Sequence, residues 1–237
     1  MSIFVAGLDL GQAADYSALV IVEAAGTSRK VSWEGIRPDL GLLSTDSANV
    51  ETLPMTRLDV RHIERFPLHR KYGQIAADVE ARLRRVPVPR YLVVDQTGVG
   101  TGVIEMLARL TPIGITITAG NEVQRGTGPQ DFRVPKRDLV AALQVGLQNG
   151  TLRIAKGLPH AELLTREMLA FRARITQAGH DSYEAWREAD HDDLVLAAAL
   201  SCWAADLLYR IRQSEIQEHL AVKRAEALWR ASMISPI

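Results

Sequence analysis

One cysteine in 237 residues leaves no pair for a structural disulfide. Cys202 lies inside an apolar run, where a buried, reduced thiol is expected rather than a nucleophile, and this suits a reducing cytoplasm. An excess of one charge is also missing. Lys and Arg total 28, as do Asp and Glu, so no overall field attracts a polyanion and any nucleic-acid contact must come from local patches. The first residues enter a strand-like pattern directly, without the basic start, apolar stretch and small-residue cleavage site of a signal peptide. The longest apolar stretch, Leu194 to Tyr209, carries Asp206 and is short for a membrane span; it is expected to be a buried core helix of a soluble protein. No internal repeat and no low-complexity block is present. Nor is there a Gly-x-x-x-x-Gly-Lys-Ser/Thr loop, because Gly-Lys never occurs as a dipeptide.

What is present is 47% hydrophobic residues, enough to bury one sizeable core. The expected organisation is one α/β domain over residues 1–210 and an amphipathic C-terminal helix or tail over 211–237. Ile3 to Leu10 and Ser17 to Ala24 read as antiparallel strands joined by a short turn. Residues 27–54 are polar and dotted with Gly, Pro, Ser and Asp, which predicts a long surface loop or insertion. A strand over Thr56 to Phe66 and a helix over Tyr72 to Arg85 follow, then a short buried strand, Tyr91 to Val94, with Asp95 at its tip. After the turn at residues 96–100, a helix over Thr101 to Leu110 leads to a strand over Ile113 to Thr118. Asn121 to Pro135 reads as a polar, Gly-rich segment. Helices are expected over Lys136 to Asn149 and Pro159 to Phe171, with a short strand, Leu152 to Ile154, between them. A second hairpin is expected from Phe171–Ile175 and Ser182–Trp186, before a long apolar helix from about Asp192.

Three acidic positions fall where elements begin or end: Asp9, Asp95 and the pair Asp192–Asp193. Each alone has an ordinary explanation, as a turn former or a helix N-cap. Asp9 is different in context, because it follows Val5-Ala6-Gly7-Leu8, and a carboxylate on a central strand needs a compensating charge. Neighbouring strands can bring Asp9 and Asp95 to one sheet edge, and a helix start packed there adds Asp192 and Asp193. Such a cluster repels itself without cations. Hard divalent ions such as Mg²⁺ or Mn²⁺ prefer oxygen ligands, and two of them about 3.5–4 Å apart can activate water and stabilise the leaving oxygen of a phosphodiester.

These residues resemble the nuclease domain of the large terminase subunit of tailed phages. Gly7-Leu8-Asp9-Leu10-Gly11 with Asp15-Tyr16-Ser17-Ala18 resembles that family's first catalytic segment, and Val94-Asp95-Gln96-Thr97-Gly98-Val99-Gly100 its second. His191-Asp192-Asp193-Leu194-Val195, opening an alanine-rich helix, is similar to the third. Phe132-Arg133-Val134-Pro135-Lys136-Arg137-Asp138-Leu139 resembles a segment that the family carries between them, and the likeness extends roughly from Phe4 to Trp203. It implies a ribonuclease H-like fold, a mixed central sheet flanked by helices, and cleavage of double-stranded DNA during genome packaging. It also implies that Asp9 bridges two metal ions, Mg²⁺ or Mn²⁺, that Asp95 holds one and Asp193 the other, with Asp192 as an adjoining ligand or supporting group. Without a nucleotide loop here, the packaging ATPase is expected from another chain or segment, with the portal and the small terminase subunit as further partners and the host cytoplasm as the place of action.

DNA binding requires cations near the acidic cluster, and Lys136, Arg137, Arg133 and Arg125 are the candidates, Lys136 first. Arg82, Arg84, Arg85 and Arg90 read as helix-end charges, and His191 as a capping or packing residue. Two rival classes share some features. Actin-like and sugar-kinase ATP-binding proteins also open with a strand bearing Asp-x-Gly, as in Asp9-Leu10-Gly11, but need two large lobes. A non-catalytic packaging factor would keep the fold without needing the carboxylates. Holliday-junction resolvases share the acidic cluster.

Overall fold

A computed structural model of the chain describes residues 2–11, 15–33, 49–98, 101–178 and 192–233. The sheet is built outward from its most apolar strand. β1 (Ser2–Asp9) is flanked by β2 (Ala18–Trp33), antiparallel, and by β4 (Arg90–Asp95), parallel. β3 (Asn49–Arg65) adds antiparallel to β2, while β5 (Ile113–Thr118) and β7 (Asp131–Pro135) continue the parallel side beyond β4. Two short strands, β6 (Gln124–Arg125) and β8 (Leu152–Ile154), close the margins. The order among the described residues is β6-β7-β5-β4-β1-β2-β3-β8, an eight-stranded mixed sheet.

Alternation along β1 sends Ile3 and Val5 to one face and Ala6 and Leu8 to the other. The second face is covered by α1 (Tyr72–Leu83), whose Ile75, Ala76, Val79 and Leu83 form one helical stripe, and by residues around α2 (Thr101–Met106). The first face packs against α3 (Lys136–Gln148), α4 (Ala161–Ala178) and α5 (Asp193–Met233). α5 is long and apolar enough over Asp193–Ala221 to cross a membrane by length and composition, yet Leu194, Val195, Ala197 to Leu200, Ala204 and Ala205 lie buried on the sheet. Cys202 is in that buried set, and burial pushes its thiol up to about 12.

The helix lies unusually close to the strand. A Cβ placed on Gly7 would stand 2.2 Å from the Ala197 carbonyl oxygen and 2.5 Å from Ser201 Oγ, so only glycine fits. Gly7 N–H donates to Ser201 Oγ at 2.8 Å, and the same hydroxyl faces Val20 O at 2.8 Å and Ala197 O at 2.9 Å, to one of which it donates. A helix side chain is thereby spliced into the β1–β2 ladder.

Several expectations are corrected. Residues 27–33 and 49–54, expected to be loop, extend β2 and β3 as a ribbon paired in register from Gly26↔Thr56 to Trp33↔Asn49. β1 pairs with β2 only as far as Ala25, so beyond it β2 and β3 pair with each other alone. Residues 34–48 lie outside the described residues. Phe171–Ile175, expected to be a strand, belongs to α4, and its partner Ser182–Trp186 is outside the described residues. The segment 121–135 holds β6 and β7, and the helix from Thr101 stops at Met106 before a 3₁₀ turn, Ala108–Leu110. The helix from Asp193 continues without a break to Met233.

Ser201→Ala is expected to lower stability by about 1–3 kcal/mol, because it strips the buried Gly7 amide of its acceptor. Gly7→Ala should cost at least as much by forcing helix and sheet apart. Urea unfolding of the two variants checks both.

Candidate active site at the carboxylate edge

Strand register decides where the acidic residues meet. The last paired rung of β1 with β4 is Leu8↔Val94, and one residue further Asp9 and Asp95 end adjacent parallel strands. Asp9 also pairs with Ala18, and Ala18 pairs with Arg65, so Asp95, Asp9, Ala18 and Arg65 form one row across four strands. Val5, Val93, Ala18 and Ile63 belong to the core under α5, and alternation by two carries Asp9, Asp95 and Arg65 to that same face. Ala18 is the small residue in the row, with Asp9 and Arg65 on either side of it two strand spacings, or about 10 Å, apart.

The first turn of α5 meets this row. The Asp192 carbonyl accepts Leu196 N–H at 2.9 Å, which places Asp192 at the cap and Asp193 as the first helical residue, where the helix dipole favours negative charge. Asp193 is 8% exposed and Asp95 5%, whereas Asp9 and Asp192 are half-buried. All four predicted acidic residues therefore come to one end of the sheet. His191 lies outside the described residues.

Asp95 is held by the turn behind it. Its Oδ1 accepts Thr97 N–H at 2.8 Å, and Thr97 Oγ1 accepts Ile117 N–H from β5, also at 2.8 Å. Gln96 Nε2 donates to Thr116 Oγ1 at 3.1 Å. The Gln96-Thr97 turn thus ties the carboxylate to two strands, with Gly98 at a positive φ of 75°. Val99 and Gly100 are outside the described residues.

Three residues at this edge were not anticipated from the sequence. Arg65 Nη2 lies 3.0 Å from Asp193 Oδ2 and 3.2 Å from Glu167 Oε1, and its guanidinium sits 4.2 Å from the centre of the Tyr16 ring. Glu167, on α4, is the third. Burial pushes its carboxyl up to about 7; Arg65 pulls the other way, Asp193 and Asp192 push it up further, and the Leu194 amide adds a small opposing pull. Only the helical spacing gave any sign of Glu167: it follows buried Leu164 by three positions and adjoins Met168, on the margin of a buried stripe. No pattern around Arg65 marks it.

The donors are all carboxylate oxygens, the chemistry that suits a hard divalent cation. Glu167 adds a further carboxylate to that edge, ion-paired with Arg65 at 3.2 Å. In the present arrangement no three acidic, His or Cys side chains among the described residues stand close enough together to hold an ion. Arg65 balances part of the negative charge there through Asp193 and Glu167.

The basic candidates divide by position. Lys136 follows directly on β7, at the same edge as Asp95 with β5 between the two strands. Arg137 is tied down: Nη1 donates to Asn121 Oδ1 at 2.8 Å and Nη2 to the Asn121 carbonyl. Arg133 is exposed within β7, and Arg125 lies 5.7 Å from the centre of the Phe132 ring. A cleft of about 500 Å³ lined by Phe4, Ile21, Glu23, Arg61 and Arg82 lies toward the other end of β1 and takes no part in this edge.

The fold defines the class as α/β, a mixed sheet flanked by helices. No model of a known protein family matches the chain, and no curated protein matches it.

Raised from 4.5 to about 7, the Glu167 carboxyl keeps its proton in the folded state while the unfolded chain has already lost it. Its contribution to stability is therefore full below pH 4.5 and is lost as pH rises through 7. One proton sets a slope of at most about 1.4 kcal/mol per pH unit, trimmed by solvent screening. Glu167→Gln should remove this slope, so that the variant overtakes the wild type in stability toward pH 8. Urea midpoints between pH 4 and 8 measure it.

Proposed function

We propose that the chain is a metal-dependent DNA endonuclease of the ribonuclease H-like class, acting as a terminase large-subunit nuclease on double-stranded DNA. One observation carries this reading: Asp9 and Asp95 end adjacent parallel strands on the face where α5 begins with Asp193. An antiparallel β1–β3 meander followed by parallel β4 and β5 is in keeping with that class. The resemblance of the three acidic segments to the terminase nuclease supplies the substrate.

By that resemblance Asp9, Asp95 and Asp193, with Asp192 adjoining, would hold two divalent ions, Mg²⁺ or Mn²⁺. When bound, such ions polarise the phosphodiester and lower the pKa of water. The chain's own residues do the rest. The Thr97 amide fixes Asp95 against β5, so the carboxylate is oriented before substrate arrives. The dipole of α5 and the Arg65 guanidinium offset the negative charge of Asp193 next to Glu167. Lys136 and Arg137 border the same edge and meet phosphates on the flank of the scissile bond, with Arg133 and Arg125 further along the β6–β7 margin. An open edge suits a polymer that must pass across it. The ATPase motor, portal and small terminase subunit are the partners this reading calls for, in a host cytoplasm.

Plasmid nicking and linearisation in Mg²⁺, Mn²⁺ or EDTA tests it. Metal-dependent cutting is expected, reduced about 100-fold or more by Asp9→Ala and by Asp193→Ala. No cutting with any metal, also with an ATPase partner added, would favour the ATP-binding or packaging-factor readings; preference for four-way junctions would favour a resolvase.

Lys136→Ala should weaken DNA binding for all sequences alike and lower the slope of log K against log salt by about 0.9, the value of one phosphate contact. Titration of a labelled duplex at several salt concentrations reads this slope.

A further inference from the structure

Basic side chains gather on a second flank of the carboxylate row, where no motif drew notice to them. β8 runs parallel to β3, with Val60 opposite Ile154, so the chain leaving β8 heads toward the same end of the sheet as Arg65. Lys156 and His160 lie on that connection; α4 follows from Ala161 and carries Arg166 beside Glu167, which contacts Arg65. Lys156, His160 and Arg166 line one cleft of about 330 Å³, in which Glu162 is the one acid among the described residues. All three are exposed, and none forms an ion pair among the described residues. Other exposed arginines do: Arg61, Arg70, Arg84 and Arg210 each stand against a carboxylate. Cations collected without such partners repel one another, and a polyanion relieves that repulsion.

Strand order sets this cleft against the acidic residues. β1, which ends in Asp9, stands three strands from β8 on one side and three from β7, which leads into Lys136, on the other. At about 4.8 Å per strand each flank lies about 14 Å from Asp9. That span is on the order of four base pairs of duplex at about 3.4 Å each.

We infer that Lys156, His160 and Arg166 form a second phosphate-binding patch, and that a DNA duplex lies across the carboxylate row, its backbone held by Lys136 on the β7 flank and by this patch on the β8 flank. The inference deepens the nuclease reading and rests on it for the substrate. Lys156 and Arg166 bring charge to the phosphate oxygens, and His160 adds an N–H donor. Contacts of this kind fix the position of the duplex and carry no sequence information. The stretch of backbone between the two anchors is the one presented to Asp9, Asp95 and Asp193.

A labelled duplex of about 20 base pairs, long enough to reach both flanks, is titrated with the full chain in EDTA at several salt concentrations. Lys156→Gln and Arg166→Gln are each expected to lower the slope of log K against log salt by about 0.9, the value of one phosphate contact, and to do so additively with Lys136→Ala. Arg85→Gln removes the same charge at the cleft toward the other end of β1 and is expected to leave the slope unchanged. An equal loss in Arg85→Gln would reduce the effect to general charge and overturn the patch. If Lys136→Ala lowers the slope while the Lys156 and Arg166 variants do not, the second flank is overturned and the nuclease reading stands on its metal-dependent cutting. A wild type that neither binds nor cuts the duplex overturns both.

Discussion

The contact between Ser201 and Gly7 holds the rest of the structure in place. A strand amide that gives its hydrogen bond to a helix hydroxyl fixes the depth, the rotation and the axial position of that helix together. Ala197 and Ser201 are one turn apart and both approach Gly7. From there α5 can lie in one register only, and its first residue, Asp193, lands beside the row that contains Asp9. Any larger residue at position 7 would lift the helix and separate carboxylates carried by different elements.

Packing thus brings together groups that electrostatics would drive apart. Asp9, Asp95, Asp192, Asp193 and Glu167 share one end of the sheet, and low exposure strengthens the repulsion among them. Three local devices offset it: the dipole of α5, the Thr97 amide on Asp95, and the Arg65 guanidinium held over Tyr16. The energy stored there is balanced by the apolar face of α5, where Leu194, Val195 and Leu200 are fully buried. Charge is concentrated at the end of the molecule, and the cohesion that tolerates it runs along its length.

Much of this was legible in the residues. β1, β4 and the helix after Asp192 show their apolar periods plainly, because each is buried on the face where its pattern is read, and the acids at their ends stand out against those runs. The distal ribbon was not legible: residues 27–33 and 49–54 mix Ser, Thr and charged groups with scattered apolar ones, the composition of a surface loop, and their pairing is set by the long-range β2–β3 register. Phe171–Ile175 misled for the opposite reason, since its β-branched and aromatic residues suit a strand while the chain continues a helix begun ten residues earlier. Arg65 and Glu167 were hard to see because their role is created by tertiary distance; one ends a strand and the other sits on a helix 102 positions later, with only helical spacing to hint at Glu167 and nothing local to mark Arg65.

The unbroken run of α5 has a mechanical side. At about 1.5 Å per residue its 41 residues make a rod roughly 60 Å long, pinned near one end by Ser201 and tipped by Asp193. Ser201 lies eight residues, about two turns, from Asp193, so a displacement of the rod at that pin is carried directly to the carboxylate at its tip.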